Sequence, residues 1–115
     1  MPLQDWSENI VLAELQDDPA FSDDLNALTE RVEAHPNLDV LLNFSAINYV
    51  NSSNLAAMLR LRKMVTINNR RKLVICSVNT HVWGLLLTTG LNKTFDFADD
   101  VSLALAGLQL ERSAE

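Results

Sequence analysis

Two adjacent hydroxyl-bearing residues, Ser52 and Ser53, lie between an apolar run that ends at Phe44 and an amphipathic segment that opens near Asn54. This order predicts a turn that leads from a strand into a helix. A serine there lies at the positive end of the helix dipole, beside backbone N–H groups that lack partners within the helix. Such a position accepts a phosphate well, and a phosphate is a large local change in charge. The pattern therefore favours a site of regulated modification over a catalytic site.

Other interpretations of the polar residues remain open. The two serines could be helix-capping residues whose hydroxyls satisfy unpaired N–H groups. Cys76 lies in an apolar strand, and no motif supplies the base or electropositive opening that a cysteine nucleophile needs, so we predict a buried core thiol. The acidic pairs at 17–18 and 23–24 could suggest a cation site, but they match no calcium loop, and acidic turns and helix starts explain them as well.

The composition predicts one compact domain that spans residues 1–115. The chain has 115 residues, of which 48% are hydrophobic, which is enough to build a core. The lone cysteine excludes an internal disulfide framework and suits a reducing cytoplasm. No apolar run approaches the ~20 residues of a spanning helix, so we expect no direct membrane insertion. One cysteine and two distant histidines argue against a zinc site, and no cofactor is required.

The net charge of −6 is unevenly distributed along the chain. Residues 1–40 carry ten acids and one base, and residues 96–115 carry five acids and one base. The middle segment, 41–95, has no acid and seven bases: Arg60, Arg62, Lys63, Arg70, Arg71, Lys72 and Lys93. The serine turn lies in this acid-free segment, so a phosphate would meet little local repulsion. The bases form either a solvated helix face or a surface for an acidic partner. Overall acidity and the lack of aromatics among these bases argue against nucleic-acid binding.

Hydrophobic periodicity predicts four strands that alternate with four helices. The strands are expected at residues 10–15, 39–44, 72–76 and 94–97, and the helices at about 22–35, 54–68, 80–89 and 99–108. Asn79 or Thr80 would cap the third helix, and Gly90 would end it in a left-handed conformation. Residues after Leu110 are expected to be frayed, and Trp6 is a candidate for exposure to a partner. The fold class is α/β: a single mostly parallel sheet of about four strands with helices packed on it.

Three segments resemble the STAS family, the fold of the bacterial anti-sigma factor antagonists, in the expected order and spacing. Residues 41–55 resemble the phosphorylation loop of that family. Residues 72–77 resemble its central strand, and residues 82–91, followed by Phe95, resemble its helix-Gly-Leu-strand ending. The resemblance covers nearly the whole chain, from about Ile10 to Leu108.

The resemblance implies a phosphorylation switch at the serine turn. In the family, a partner anti-sigma kinase phosphorylates the first hydroxyl after an acidic position. The unphosphorylated form binds that kinase and frees a sigma factor. By position, Ser52 is the implied phosphoacceptor, with Ser53 as the less favoured one. The chain departs from the family pattern at two places, since Asn51 replaces the usual aspartate and Asn54 the usual glycine.

The sequence thus predicts a cytoplasmic, bacterial signalling domain that is not an enzyme and acts through protein–protein binding. Its partner would be an anti-sigma factor or serine kinase of the family type, with a phosphatase as a further candidate; the oligomeric state stays open. The predicted partner-binding residues are Tyr49, Val50, Asn51, Ser53, Asn54, Leu55, Arg60 and Lys63. One alternative is a constitutive scaffold or a transporter-associated accessory subunit without phosphorylation. A further alternative is a small-ligand or nucleotide sensor or an enzyme, for which the sequence offers no convergent acid/base set.

Overall fold

The computed structural model describes residues 3–113 and contains one five-stranded sheet with helices on both faces. The strands are β1 (Leu3–Asp5), β2 (Ile10–Gln16), β3 (Asp39–Ala46), β4 (Leu73–Cys76) and β5 (Asp96–Ala98). The helices are α1 (Ala20–Ala34), α2 (Ser52–Arg62), α3 (Thr80–Thr89) and α4 (Val101–Ser113). A π-helical turn (Lys63–Asn68) continues α2, and a 3₁₀ turn (Leu91–Lys93) follows α3. The strands lie side by side in chain order, β1 to β5.

The sheet is mostly parallel, which confirms the predicted α/β class. Strands β2 to β5 pair in parallel, and only β1 is antiparallel to its neighbour, with Leu3 opposite Ala13. Strand β1 was not predicted, because it is three residues long and two of them are exposed. Such a short edge strand carries no periodic hydrophobic signal, and its pairing with β2 defines it.

The core lies on both faces of the sheet. Helices α1, α2 and α3 cover one face, where Val40 and Leu42 of β3 are fully buried, while α4 covers the other face over Leu41. This explains why β3 reads as a continuous apolar run. Cys76 is buried beneath α4 as predicted, and burial raises the pKa of its thiol. A raised pKa makes the thiolate scarce at neutral pH, which suits a core residue.

Most helix boundaries follow the predicted signals. Asn79 caps α3 by accepting a hydrogen bond from the Val82 N–H at 2.8 Å, and Gly90 ends the helix at φ 79°. Helix α2 begins at Ser52, two residues earlier than predicted, because its cap is Asn51. The last turn of the predicted helix is π-helical, with the N–H of Asn69 bonded to the carbonyl of Met64.

The prediction that the chain frays after Leu110 is wrong for residues 111–113, and its last two residues, 114 and 115, lie outside the described range. Helix α4 continues to Ser113, and Arg112 donates from Nε to Asp39 Oδ2 at 2.9 Å. Asp39 is only 1% exposed and also accepts from Arg71 Nε and from the backbone N–H of Lys72, both at 3.0 Å. This ionic network ties the end of the last helix to the amino end of β3, so the segment is ordered.

Candidate functional site

The serine turn lies at the carboxyl edge of the parallel strands, between the end of β3 and the start of α2. Ile47 anchors it, because its side chain is 2% exposed and its carbonyl accepts from Asn79 Nδ2 at 2.8 Å. Ser52 and Ser53 are the first two residues of α2, and both are exposed. Within residues 3–113, neither their hydroxyls nor their backbone N–H groups form a hydrogen bond. The helix therefore presents two free hydroxyls and two free N–H groups to solvent.

The asparagines on either side of the serines form a capping box. Asn51 Oδ1 accepts from the Asn54 N–H at 2.8 Å, and Asn54 Oδ1 accepts from the Asn51 N–H at 3.0 Å. This reciprocal pair satisfies one unpaired N–H at the start of α2 and fixes the entry of the chain. The alternative in which the serine hydroxyls cap the helix is therefore wrong, because Asn51 holds that role.

A carboxylate from the β2–α1 connection joins the two asparagines. Asp18 Oδ2 accepts from Asn54 Nδ2 at 2.8 Å and from Asn51 Nδ2 at 3.2 Å, and its Oδ1 accepts from Ser22 Oγ at 2.7 Å. These bonds, that from Asn54 above all, lower the pKa of Asp18 from 3.8 to about 2. Asp18 therefore stays ionised and holds α1 and the serine turn together.

Asp17 makes a second set of bonds to the same turn. It accepts from the backbone N–H of Asn48 at 2.9 Å and from Asn48 Nδ2 at 2.8 Å. The side-chain bond, followed by the backbone bond, lowers the pKa of Asp17. Asp17, Asp18 and Asn48 are site residues that the sequence interpretation missed. The available signal was an acidic turn after β2, at the carboxyl edge where the serine turn also lies.

These contacts correct the predicted electrostatics of the turn. The segment 41–95 has no acid in sequence, yet the fold brings the carboxylates of Asp17 and Asp18 against it. The turn is thus already negative before any modification. The two carboxylates bond neutral amides here, which gives the acidic pair a role in positioning the turn.

The predicted partner-binding residues differ in exposure. Tyr49 is 47% exposed, Asn51, Ser53, Arg60 and Lys63 are also exposed, and Val50 and Leu55 are half-buried against the core. Asn54 is only 1% exposed, so it shapes the turn from inside and offers no side-chain surface to a partner.

The described part of the chain holds no metal-binding group of side chains at this turn. Among residues 3–113, no three histidine, cysteine, aspartate or glutamate side chains gather as a metal-binding group. Over the same range, no helix combines the length and apolar character needed to cross a membrane. What the site offers chemically is a pair of free hydroxyls at a helix N-terminus on a hydrogen-bonded turn.

A model of the STAS domain family matches residues 19–104, which include α1, the serine turn and the start of α4. The chain belongs to the STAS domain family. No curated protein sequence matches it significantly. The match confirms the resemblance drawn from the serine turn, the central strand and the Gly90 region.

Solved structures share the fold of this STAS domain. An anti-sigma-factor antagonist (STAS) domain protein from Planctomyces limnophilus is 14% identical, with 87% of this chain and 91% of that chain covered at a TM-score of 0.75. An RsbS variant from Moorella thermoacetica is also 14% identical, with 97% and 99% covered at 0.73. The anti-sigma factor antagonist SpoIIAA in its unphosphorylated form is 11% identical, with 91% and 93% covered at 0.69. At these identities the likeness is one of fold.

Proposed function

We propose that this STAS domain is a non-enzymatic regulatory module that binds an anti-sigma factor or serine kinase and is switched off by phosphorylation of Ser52. The observation that carries the proposal is the exposure of the Ser52 hydroxyl together with its lack of hydrogen bonds to the described residues. Its exposed hydroxyl stands at the first position of α2 and forms no hydrogen bond with any described residue. A kinase can therefore reach it without breaking a contact that the fold needs. The likeness in fold to the antagonist SpoIIAA, whose structure is of its unphosphorylated form, supports the same interpretation.

The helix N-terminus would stabilise the phosphate once it is attached. The free N–H groups of Ser52 and Ser53 and the helix dipole favour negative charge there by about 0.3–1 kcal/mol. The dipole thus offsets part of the repulsion from Asp17 and Asp18 at the same turn.

The switch would arise from the total charge of the turn. A phosphate adds about −1.5 to −2 charges to a turn that already holds the two carboxylates of Asp17 and Asp18. A partner that covers this turn would have to remove water from the added charge, which costs several kcal/mol unless the partner supplies cations. Binding of the unmodified turn and loss of binding after phosphorylation follow from this difference.

Affinity in the unmodified state would come from Tyr49 and the exposed face of α2. Tyr49 is a half-exposed aromatic side chain beside the serines, and aromatic residues contribute most at such interfaces. Leu59 is 38% exposed one turn before Lys63 and extends the apolar surface along the helix. Arg60 and Lys63 would increase the association rate with an acidic partner.

The first experiment is phosphopeptide mapping of the protein recovered from its own cells, during growth and under stress. We expect phosphate on the peptide that contains Ser52, with an occupancy that changes with condition. A Ser53→Ala chain should keep the modification and a Ser52→Ala chain should lose it. Unmodified 52–53 peptides at full coverage in every condition would contradict the switch.

A binding comparison separates the switch from the constitutive scaffold. The partner is cross-linked to the wild-type domain in cells, identified, and then titrated with purified wild-type, Ser52→Ala and Ser52→Asp proteins. The switch predicts that Ser52→Asp weakens binding about tenfold or more while Ser52→Ala does not, because only aspartate adds charge. Equal affinity of all three would favour the scaffold or the transporter-associated accessory subunit.

A further inference from the structure

Five of the seven bases from the acid-free segment surround one cavity at the other edge of the sheet. The cavity has a volume of about 460 Å³ and opens to solvent. Its basic lining residues are Arg62, Arg70, Arg71, Lys72 and Lys93. Among the described lining residues Asp96 is the single acid, so their formal net charge is +4 in a chain whose overall charge is −6. Such convergence is unexpected for bases that merely keep a surface solvated.

The cavity is separate from the serine turn. It lies where β4 and β5 begin, at the amino edge of the parallel strands, whereas the turn follows the end of β3 at the carboxyl edge. Arg62 and Ser52 are the last and first residues of α2, about 15 Å apart along its axis. A ligand in the cavity would therefore leave the serine turn uncovered.

The bases of the cavity fall into two groups. Arg71 is bonded to Asp39 through Nε and Nη2, and the Lys72 ammonium lies 3.7 Å from Glu111. Within the described residues, no carboxylate lies within ion-pair distance of Arg62, Arg70 or Lys93. Three cations thus face the cavity without an ion pair to any carboxylate of the described residues.

One of these three cations is held by a backbone carbonyl, and a second lies at a backbone outlier. Arg62 donates from Nε to the Thr94 carbonyl at 2.8 Å, which fixes the guanidinium at the wall of the cavity. Arg70 has a φ of 56°, a left-handed conformation that residues with a side chain rarely adopt. Backbone outliers of this kind concentrate at ligand-binding positions. The guanidinium of Arg62 is therefore in place at the wall before any ligand arrives.

We propose that this cavity binds a small anion that carries two or more phosphate groups. The volume lies in the range of small-molecule sites, and guanidinium groups bind phosphate oxygens through paired hydrogen bonds. The hydroxyl of Thr94 can donate a further bond at the same wall, whereas that of Thr66 already donates to the Arg62 carbonyl. A condensed phosphate offers a separate charged group to each of Arg62, Arg70 and Lys93, the three bases without an ion pair among the described residues, whereas a single phosphate offers only one.

The test uses inorganic tripolyphosphate as the probe and titration calorimetry of the full chain at physiological ionic strength. We expect one bound tripolyphosphate per chain and an increase in melting temperature on binding. The Arg70→Gln, Lys93→Gln double variant should lower affinity at least about tenfold, because the loss of even one hydrogen bond between charged groups costs about that factor. Both side chains are exposed and make no ion pair within residues 3–113, so the variant should fold normally.

The matched control removes two exposed bases of the same acid-free segment, 41–95, that do not line the cavity. Arg60→Gln, Lys63→Gln should change tripolyphosphate affinity by no more than about twofold, because exposed charges beyond the site are screened by salt. An equal loss in both double variants would show non-specific attraction and overturn the site. Failure of the wild type to bind tripolyphosphate would do the same. Citrate binding as tightly would contradict the preference for phosphate, and tighter binding of polyglutamate would assign the surface to an acidic protein.

Discussion

At the amino edge of the sheet, Asp39 is buried between two guanidinium groups, whereas at the carboxyl edge Asp18 bonds neutral amides and a hydroxyl group and stays partly open to solvent. Asp39 accepts from Arg71 and Arg112 and is 1% exposed. Asp18 accepts from Asn54, Asn51 and Ser22. Both carboxylates connect segments that are distant in sequence, but only one of them is neutralised by opposite charge.

The two edges therefore differ in how well they tolerate a change in charge: the amino edge depends on its ion pairs, and the carboxyl edge does not. A buried ionic network tolerates no loss of a partner, because the remaining charges cannot be solvated. A network of neutral donors around a partly solvated carboxylate can lose or gain a charge nearby at smaller cost. The serine turn therefore lies where a change in charge alters the surface without threatening the fold.

The largest effect is expected from Asp39→Asn. The substitution leaves Arg71 and Arg112 beside a neutral group, and breaking such a buried network costs about 3–5 kcal/mol of the free energy of unfolding. Urea denaturation measures it. The matched control is Asp5→Asn, which removes the exposed ion pair with Arg31 and should cost less than about 1 kcal/mol. Similar costs for the two substitutions would show that the ion pairs at the amino edge stabilise the fold no more than an exposed ion pair does.

A smaller effect is expected from Asn54→Ala at the carboxyl edge. This change removes one half of the capping box and the bond to Asp18, so the free energy of unfolding should fall by about 1–2 kcal/mol. Ser53→Ala, at the preceding and exposed position, should change it by less than about 0.5 kcal/mol. If Asn54→Ala is as neutral as Ser53→Ala, the capping box does not hold the turn.

The two networks also show which features of the structure could be predicted from the sequence alone and which could not. The buried strands and the ends of α3 were predictable, because apolar runs and the signals at Asn79 and Gly90 are local. The bond between Asp39 and Arg112 joins residues 73 positions apart, and no local pattern in the sequence predicts it. The capping role of Asn51 was hidden by two adjacent serines that are equally good caps by type. Bonds of this kind depend on how the helices pack on the sheet.

Acid should weaken the carboxyl edge through Asp18. Its pKa in the folded chain, about 2, is below the ordinary 3.8, so its stabilising contribution is complete above pH 3.8 and is lost as the pH falls towards 2. The stability difference between wild type and Asp18→Asn should therefore shrink over that interval.

Asp24 should behave in the opposite sense. Burial raises its pKa, so wild type should gain stability relative to Asp24→Asn as the pH falls through that raised value towards 3.8. Parallel curves for all three proteins would contradict both assignments.

The smallest effect concerns Ser52 itself. If its hydroxyl capped α2, Ser52→Ala would cost about 1 kcal/mol of the free energy of unfolding, the usual loss for a cap. The geometry assigns that cost to Asn51→Ala, because Asn51 Oδ1 accepts the N–H of Asn54. Ser52→Ala should stay within about 0.5 kcal/mol of wild type in the same urea experiment. That near-neutral result is what a modification site requires, since a hydroxyl with no role in folding is free to be changed. A cost of about 1 kcal/mol at Ser52 would instead tie the hydroxyl to the stability of the helix, and any phosphate there would then act by loosening the fold.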